Sequence, residues 1–154
     1  MDVKFINPIL ESIVEVVEQI AQVSVNPGKP EVKKDQMARG YISSIMHLSG
    51  KTATVSLAIS FQEQVIRGIA GNIFSGETQQ SRGILADLSG EIANTIAGEV
   101  QRKLEALNYT LDMSLPIIMY GPDHVIVHRA QGATVLLPFS TEVGGFYVEV
   151  CYEK

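Results

Sequence analysis

The sequence feature that most constrains the fold is a long helical pattern, after which helical spacing disappears from the chain. Apolar residues recur with the spacing of one helix face between Ser81, or Thr78 slightly earlier, and Leu107. They are Leu85, Leu88, Ile92, Ile96, Val100, Leu104 and Leu107. Asn108 is well suited to end this helix, because asparagine tolerates the left-handed conformation that follows many helices. The pattern therefore predicts one long amphipathic helix.

Four shorter patterns precede this helix. The residues from Asn7 to Gln22 carry an apolar stripe and predict a first helix, and "FQEQVIRGIAGNIFSG" predicts another of moderate length. Between these two helices, "GYISSIMHLSGKTATVSLAIS" contains two β-rich runs joined at Ser49 and Gly50, which is typical of a hairpin. The segment "VNPGKPEVKKD" ahead of the hairpin predicts a loop or a short edge strand, because it is rich in proline, glycine and lysine.

The chain after Tyr109 is typical of strands separated by turn residues. The predicted strands are "LDMSLPIIMYG", "DHVIVHRA", "GATVLLPFS" and "GGFYVEVCYE". We expect the last two to form a hairpin through "TEVGG". This order of elements predicts an α+β fold, a mostly antiparallel β-sheet covered by about three α-helices. Because no linker or low-complexity run interrupts the sequence, residues 1–154 are expected to form a single domain.

Composition narrows the classes of partner and the compartment. The net charge of −5 and the pI near 5.1 argue against nucleic acid, since phosphate binding requires a basic surface. No apolar run approaches the roughly 18 residues that a membrane span requires. Glu11, Glu15 and Glu18 recur at helical spacing, which favours an amphipathic first helix over a signal peptide. Together with the single cysteine, Cys151, these features predict a cytoplasmic protein without membrane insertion.

The sequence gives little support for a metal ion, a cofactor or a nucleophile of its own. His47, His124, His128 and Cys151 form no recognised ligand spacing, and we expect the histidines at strand ends or facing solvent. The "HLSGK" segment lacks the spacing and the helix of a phosphate-binding loop. Glycine-rich "TEVGGF" lies between predicted strands, where a dinucleotide site is not expected.

The polar face of the long helix carries the remaining candidates. This face is formed by Glu91, Asn94, Gly98, Gln101, Arg102 and Glu105. Residues three apart are neighbours on a helix, so Glu91 and Asn94 project together. Gly98 removes a side chain one turn beyond Asn94, and we expect Gly90 to leave similarly bare backbone before Glu91. Spacing alone leaves two interpretations open: a solvated helix face, or a surface that another macromolecule can approach closely.

The order of several segments resembles the CheX branch of the CheC/CheX/FliY family of chemotaxis response-regulator phosphatases. The segments are "INPILES", "NPGKPEVKKD", "GYISSIMHLSGKTATVSLAIS", "GEIANTIAGEVQRKL", "LPIIMYG" and "LPFSTEVGGFYVEV". The resemblance implies a phosphatase for the aspartyl phosphate of a CheY-like receiver domain, with the family's Glu-x-x-Asn motif at Glu91 and Asn94. It implies that Asn94 orients the attacking water, while Glu91 anchors the partner by pairing with a lysine. The phosphorylated aspartate and its Mg²⁺ belong to the partner.

The same resemblance implies further roles. Gly98 would provide clearance, and Gln101 and Arg102 would extend the partner-binding surface along the helix. Some members carry a second motif on their first helix, but here Glu11 is followed three residues later by Val14, so we expect one motif per chain. The CheX branch implies a homodimer whose sheets join at an edge. The alternative function is a non-catalytic adaptor that binds a response regulator or a flagellar-motor component through the same helix.

Overall fold

The structure, a computed structural model of the chain, describes residues 3–74 and 80–154. Within these residues three helices and eight strands follow one another along the chain. In order they are α1 (Val3–Ala21), β1 (Asn26–Pro27), β2 (Glu31–Lys33), β3 (Ile42–Ser49), β4 (Thr54–Phe61), α2 (Glu63–Ile73), α3 (Arg82–Glu105), β5 (Asp112–Met113), β6 (Ile117–Tyr120), β7 (Thr134–Thr141) and β8 (Gly144–Glu153).

The strands form one eight-stranded sheet in which the named strands pair antiparallel, as the sequence predicts. Its main path runs β1-β7-β8-β4-β3-β5, while β2 also pairs with β7 and β6 with β3. Both predicted hairpins are confirmed. The β3–β4 turn is closed by the Gly50 amide, which donates to the Ala53 carbonyl at 2.9 Å. In the β7–β8 turn Gly144 has a φ of 123°, a conformation that glycine adopts without steric cost.

The proline- and glycine-rich segment after α1 contributes the short strands β1 and β2, which confirms the predicted edge position. Helix α1 begins at Val3 rather than at the predicted Asn7. The earlier start has a packing reason, because Phe5 is only 1% exposed and stacks on Tyr152 with ring centroids 4.7 Å apart. Burial of this aromatic ring favours continuation of the helix toward the N-terminus.

Helix α3 begins where the sequence predicts. The Ser81 hydroxyl accepts a hydrogen bond from the Ile84 amide at 3.2 Å and so caps the helix, whereas Thr78 lies outside the described residues. Six of the seven residues predicted on the apolar face are buried. The prediction is wrong for Leu107, which is 43% exposed. The helix ends at Glu105, before Leu107 can continue the apolar stripe. Asn108 has a φ of 70°, which confirms the predicted left-handed residue.

The predicted strand "DHVIVHRA" is wrong. This segment makes only one isolated bridge, between Val125 and Met37, and otherwise crosses the sheet face that points away from the helices. There Ile126 packs against Ile45 and Ala58 in a small second core. An alternating apolar and polar pattern is compatible both with a strand and with an irregular segment that packs on a sheet. The pattern alone therefore does not distinguish these two structures.

The histidines are also not where the sequence analysis places them, because hydrogen bonds tie two of them to this sheet face. His124 Nε2 lies 2.7 Å from Ser43 Oγ, and His128 Nδ1 lies 2.6 Å from Ser56 Oγ. His47 is 5% exposed, and its Nδ1 has no hydrogen-bond partner within the described residues. Burial lowers the pKa of His47, and the nearby positive charge of Arg129 adds to this effect. His47 is therefore a neutral, buried side chain near neutral pH.

Candidate functional site

Helix α3 is fixed on the sheet directly beside the predicted motif. The buried Ser89 hydroxyl lies 2.7 Å from the Ser44 hydroxyl on β3. Gly90 is buried, and a Cβ atom there would lie 2.9 Å from Ile118 Cδ1 on β6. The expectation that Gly90 leaves bare exposed backbone is therefore wrong, because β6 covers it. The glycine instead lets the strand approach the helix, and this contact helps to fix which face α3 turns outward.

Three polar side chains on the outward face have no partner among the residues that the structure describes. Asp87, Glu91 and Asn94 are exposed and follow one another along one stripe of the helix. Across residues 3–74 and 80–154, no hydrogen bond or ion pair engages these three side chains. Next to them, a Cβ atom added at Gly98 would meet nothing within 4 Å. The structure thus places a free carboxylate and a free amide beside open space.

The C-terminal half of the same helix differs, because Gln101 and Arg102 have partners within the chain. Gln101 Nε2 donates to the Leu111 carbonyl at 2.6 Å, and Arg102 pairs with Glu99 at 2.8 Å. The hydrogen bond between Arg102 and Glu99 lowers the pKa of the Glu99 carboxyl and raises the pKa of the guanidinium. A partner-binding role for Gln101 and Arg102 stays a prediction, and each side chain also has a local structural contact.

A groove beside the motif was not predicted from the sequence. It has a volume of about 400 Å³ and lies between α3 and the β5–β6 connection. Its lining residues are Asp87, Gly90, Glu91, Asn94, Leu115, Pro116 and Ile118. The spacing of the "LPIIMYG" segment predicts a strand, and nothing in it indicates that the segment faces α3. The candidate catalytic pair therefore lies on one wall of a groove whose other wall is apolar.

The described residues hold no group of three or more histidine, cysteine or acidic side chains that could bind a metal ion. The single cysteine, Cys151, is buried, and its thiol donates to the Ala130 and Gly132 carbonyls. Within the same part of the chain, none of the helices combines the length and apolar character that crossing a bilayer requires. At the candidate site itself, α3 presents one amide and two carboxylates, those of Asn94, Asp87 and Glu91.

An antiparallel sheet covered on one face by three helices places the chain among the CheC-like α+β folds. The family model described as chemotaxis phosphatase CheX matches residues 42–140. The chain belongs to the CheX family.

Three relatives illustrate this membership. The crystal structure of a CheC-like superfamily protein from Shewanella sp. PV-4 is 36% identical, covers 100% of both chains and superposes with a TM-score of 0.90. The CheY-P phosphatase CheX of Thermotoga maritima is 24% identical over 141 residues, which cover 91% of this chain and 89% of that protein. The Borrelia burgdorferi structure of a CheX-CheY-BeF3-Mg+2 complex is 22% identical, with a TM-score of 0.83 over 97% of this chain and 98% of that one. At this identity the last comparison supports the fold alone.

Proposed function

We propose that this protein hydrolyses the aspartyl phosphate of a CheY-like receiver domain. The observation that carries the proposal is the free Glu91 carboxylate and the free Asn94 amide on an anchored, exposed helix. The relative named CheY-P phosphatase supports this class of substrate. A buried or internally paired amide could not reach a partner's active site, whereas this one can.

The proposed reaction needs no nucleophile from this chain. A water oxygen attacks phosphorus, the bond between phosphorus and the aspartyl oxygen breaks, and the aspartate leaves as a carboxylate with inorganic phosphate as the other product. Such a transition state requires mainly an aligned water and stabilised charge. The Asn94 amide offers a donor and an acceptor to that water, and neither titrates near neutral pH. The receiver supplies the phosphoryl group and its Mg²⁺.

Positioning of this kind depends on a rigid support. Ser89, two residues before Glu91, holds the helix through Ser44, and the Thr95 hydroxyl donates to the Glu91 carbonyl at 2.8 Å. A water held in line with a reacting phosphorus gains several kcal/mol over one that is randomly oriented. The open space at Gly98 leaves room for the receiver to bring its active site against Asn94.

The direct test mixes this protein with each CheY-like receiver encoded in the same genome, phosphorylated with acetyl phosphate, and follows release of phosphate. We expect one or more receivers to lose phosphate faster than they do alone. If the protein binds a receiver without accelerating this loss, the adaptor function replaces the proposed one.

Glu91→Lys should weaken receiver binding by about tenfold, because an ion pair worth up to about 1 kcal/mol is replaced by repulsion between like charges. The effect should decrease at high salt if the contact is partly exposed. Glu105→Lys is the matched control, since it makes the same charge change at an exposed position near the end of α3. Titration of the receiver by fluorescence anisotropy measures both variants. Equal affinities of Glu91→Lys and wild type would refute the anchoring role.

We also propose that the chain forms a homodimer by pairing of sheet edges. In the described sheet the edges consist of the short strands β1 and β2 on one side and β5 and β6 on the other. Edge strands carry unpaired backbone groups, which favours addition of another strand. Multi-angle light scattering at micromolar concentration should give twice the mass of one 16.8 kDa chain. A mass of 16.8 kDa across that range would contradict the dimer.

A further inference from the structure

Leu115 is an apolar side chain that the fold does not bury. It is 85% exposed, the highest value among the exposed large hydrophobic side chains of the described residues. It also lines the groove that contains Glu91 and Asn94. A single exposed leucine is ordinary on a protein surface. Leu115 is notable because it lies in the same groove as Glu91 and Asn94.

The backbone that carries Leu115 is held at both ends. On its N-terminal side, the Ser114 amide donates to the His47 carbonyl at 2.9 Å, and Ser114 Oγ accepts from the His47 amide at 3.0 Å. On its C-terminal side, Ile117 is in register with Ile45 on β3. Pro116 between them restricts its own backbone angle. Leu115 is thus displayed by an ordered connection, and its burial by a partner would require little further ordering of the backbone.

The groove combines this apolar wall with negative charge. Its seven lining residues include the carboxylates of Asp87 and Glu91 and no cation. Neither carboxylate has an ion-pair partner within the described chain. The groove is therefore complementary to an apolar side chain that is flanked by lysine or arginine, and not to an acidic surface.

The area and composition of a typical protein interface connect the groove to the proposed binding of a receiver domain. A specific interface covers about 800 Å² on each partner, and its centre is typically apolar while its rim is polar. The face of α3 around Asn94 is polar, so an apolar centre must come from a neighbouring element. The wall formed by Leu115, Pro116 and Ile118 is the apolar surface that shares the groove with Asn94.

We propose that this groove is the docking surface for the receiver domain and that Leu115 is a determinant of partner affinity. It would receive an apolar residue of the receiver that lies beside basic residues, on the face that presents the phosphorylated aspartate. This inference rests on the proposed function and deepens it. Asn94 would act on the reacting water, whereas Leu115 would act only on the stability of the complex.

The test separates affinity from turnover. Leu115→Ala should raise KM for the phosphorylated receiver about tenfold and leave kcat within twofold, since removal of a central apolar contact typically costs more than 1 kcal/mol of binding. Leu115→Met should remain close to wild type, because it keeps an apolar side chain of similar size. Leu107→Ala, an exposed leucine beyond the end of α3, is the control and should change neither constant. Because Leu115 is largely exposed, its variants should melt at the wild-type temperature.

Three outcomes would overturn the docking surface. If wild type dephosphorylates the receiver and Leu115→Ala keeps the wild-type KM, the groove is not the docking surface while the proposed function stands. If light scattering shows that Leu115→Ala halves the particle mass, a second copy of this chain occupies the groove. If wild type neither binds nor dephosphorylates any receiver, both proposals fail together.

Discussion

Asn94→Ala should give a folded protein that binds its receiver but dephosphorylates it about 100-fold more slowly, as when one preorganised donor is removed from an active site. The amide has no partner within the described chain, so its loss breaks no contact there. Alanine is also the better helix former, by up to about 0.7 kcal/mol. Unfolding by urea should show stability equal to wild type or slightly higher. The rate should fall because the lost interaction operates mainly in the transition state.

The matched control for this variant is Asn7→Ala, which makes the same substitution at an exposed position of α1. Single-turnover loss of phosphate at saturating concentrations of both variants isolates the chemical step from binding. Full activity of Asn94→Ala would remove this residue from the mechanism. A large loss of affinity with an unchanged saturated rate would instead assign Asn94 to binding.

The elements that the sequence predicts well are those whose pattern depends on neighbours close in the chain. Six of the seven apolar positions of α3, its start after Ser81 and the left-handed Asn108 follow from local geometry, and they are confirmed. The β3–β4 and β7–β8 hairpins are equally local, since each joins consecutive strands by a short turn. The start of α1 is less local, because it depends on contacts of Phe5 with Tyr109 and Tyr152.

The remaining features depend on residues that are distant in sequence. A helical wheel places Gly90 beside the exposed stripe, but only the position of β6 shows that Ile118 covers it. Leu115 lines the same groove as Glu91, although no spacing relates them. The roles of Glu91 and Asn94 came from family resemblance. That their side chains are unpaired could not be predicted, since Lys103 on the same helix reaches Glu15 on α1.

A buried ion pair on the opposite face of the sheet is the clearest case of a contact that the sequence cannot predict, because its two residues are far apart in the chain. Lys33 Nζ is 2.6 Å from Glu149 Oε2, and the two side chains are 0% and 2% exposed. The other carboxylate oxygen, Oε1, lies 3.0 Å from His128 Nε2. An ionised carboxylate only accepts, so Nε2 carries the proton and donates to it. In neutral His128, Nδ1 then accepts from the Ser56 hydroxyl. This network joins β2, β8 and β4 through the segment that was mistaken for a strand.

Lys33→Met should therefore lower the free energy of unfolding by about 3–5 kcal/mol, because it leaves the buried Glu149 carboxylate without its cation. Asp35→Asn is the matched control at a surface pair. Asp35 meets Arg39 at 2.9 Å with 55% of its side chain exposed, and such pairs contribute at most about 1 kcal/mol. Urea denaturation with one fluorescence or circular dichroism probe measures both variants.

The double variant Lys33→Met with Glu149→Gln decides whether the cost arises from an unpaired charge. Glutamine keeps the shape of Glu149 and an oxygen that accepts from His128, so removal of the charge should restore more than half of the lost stability. If Lys33→Met unfolds within about 1 kcal/mol of wild type, water must reach the carboxylate and the pair is not buried in solution. The pair lies on the sheet face away from α3, so folded Lys33→Met should keep the wild-type kcat and KM for the receiver.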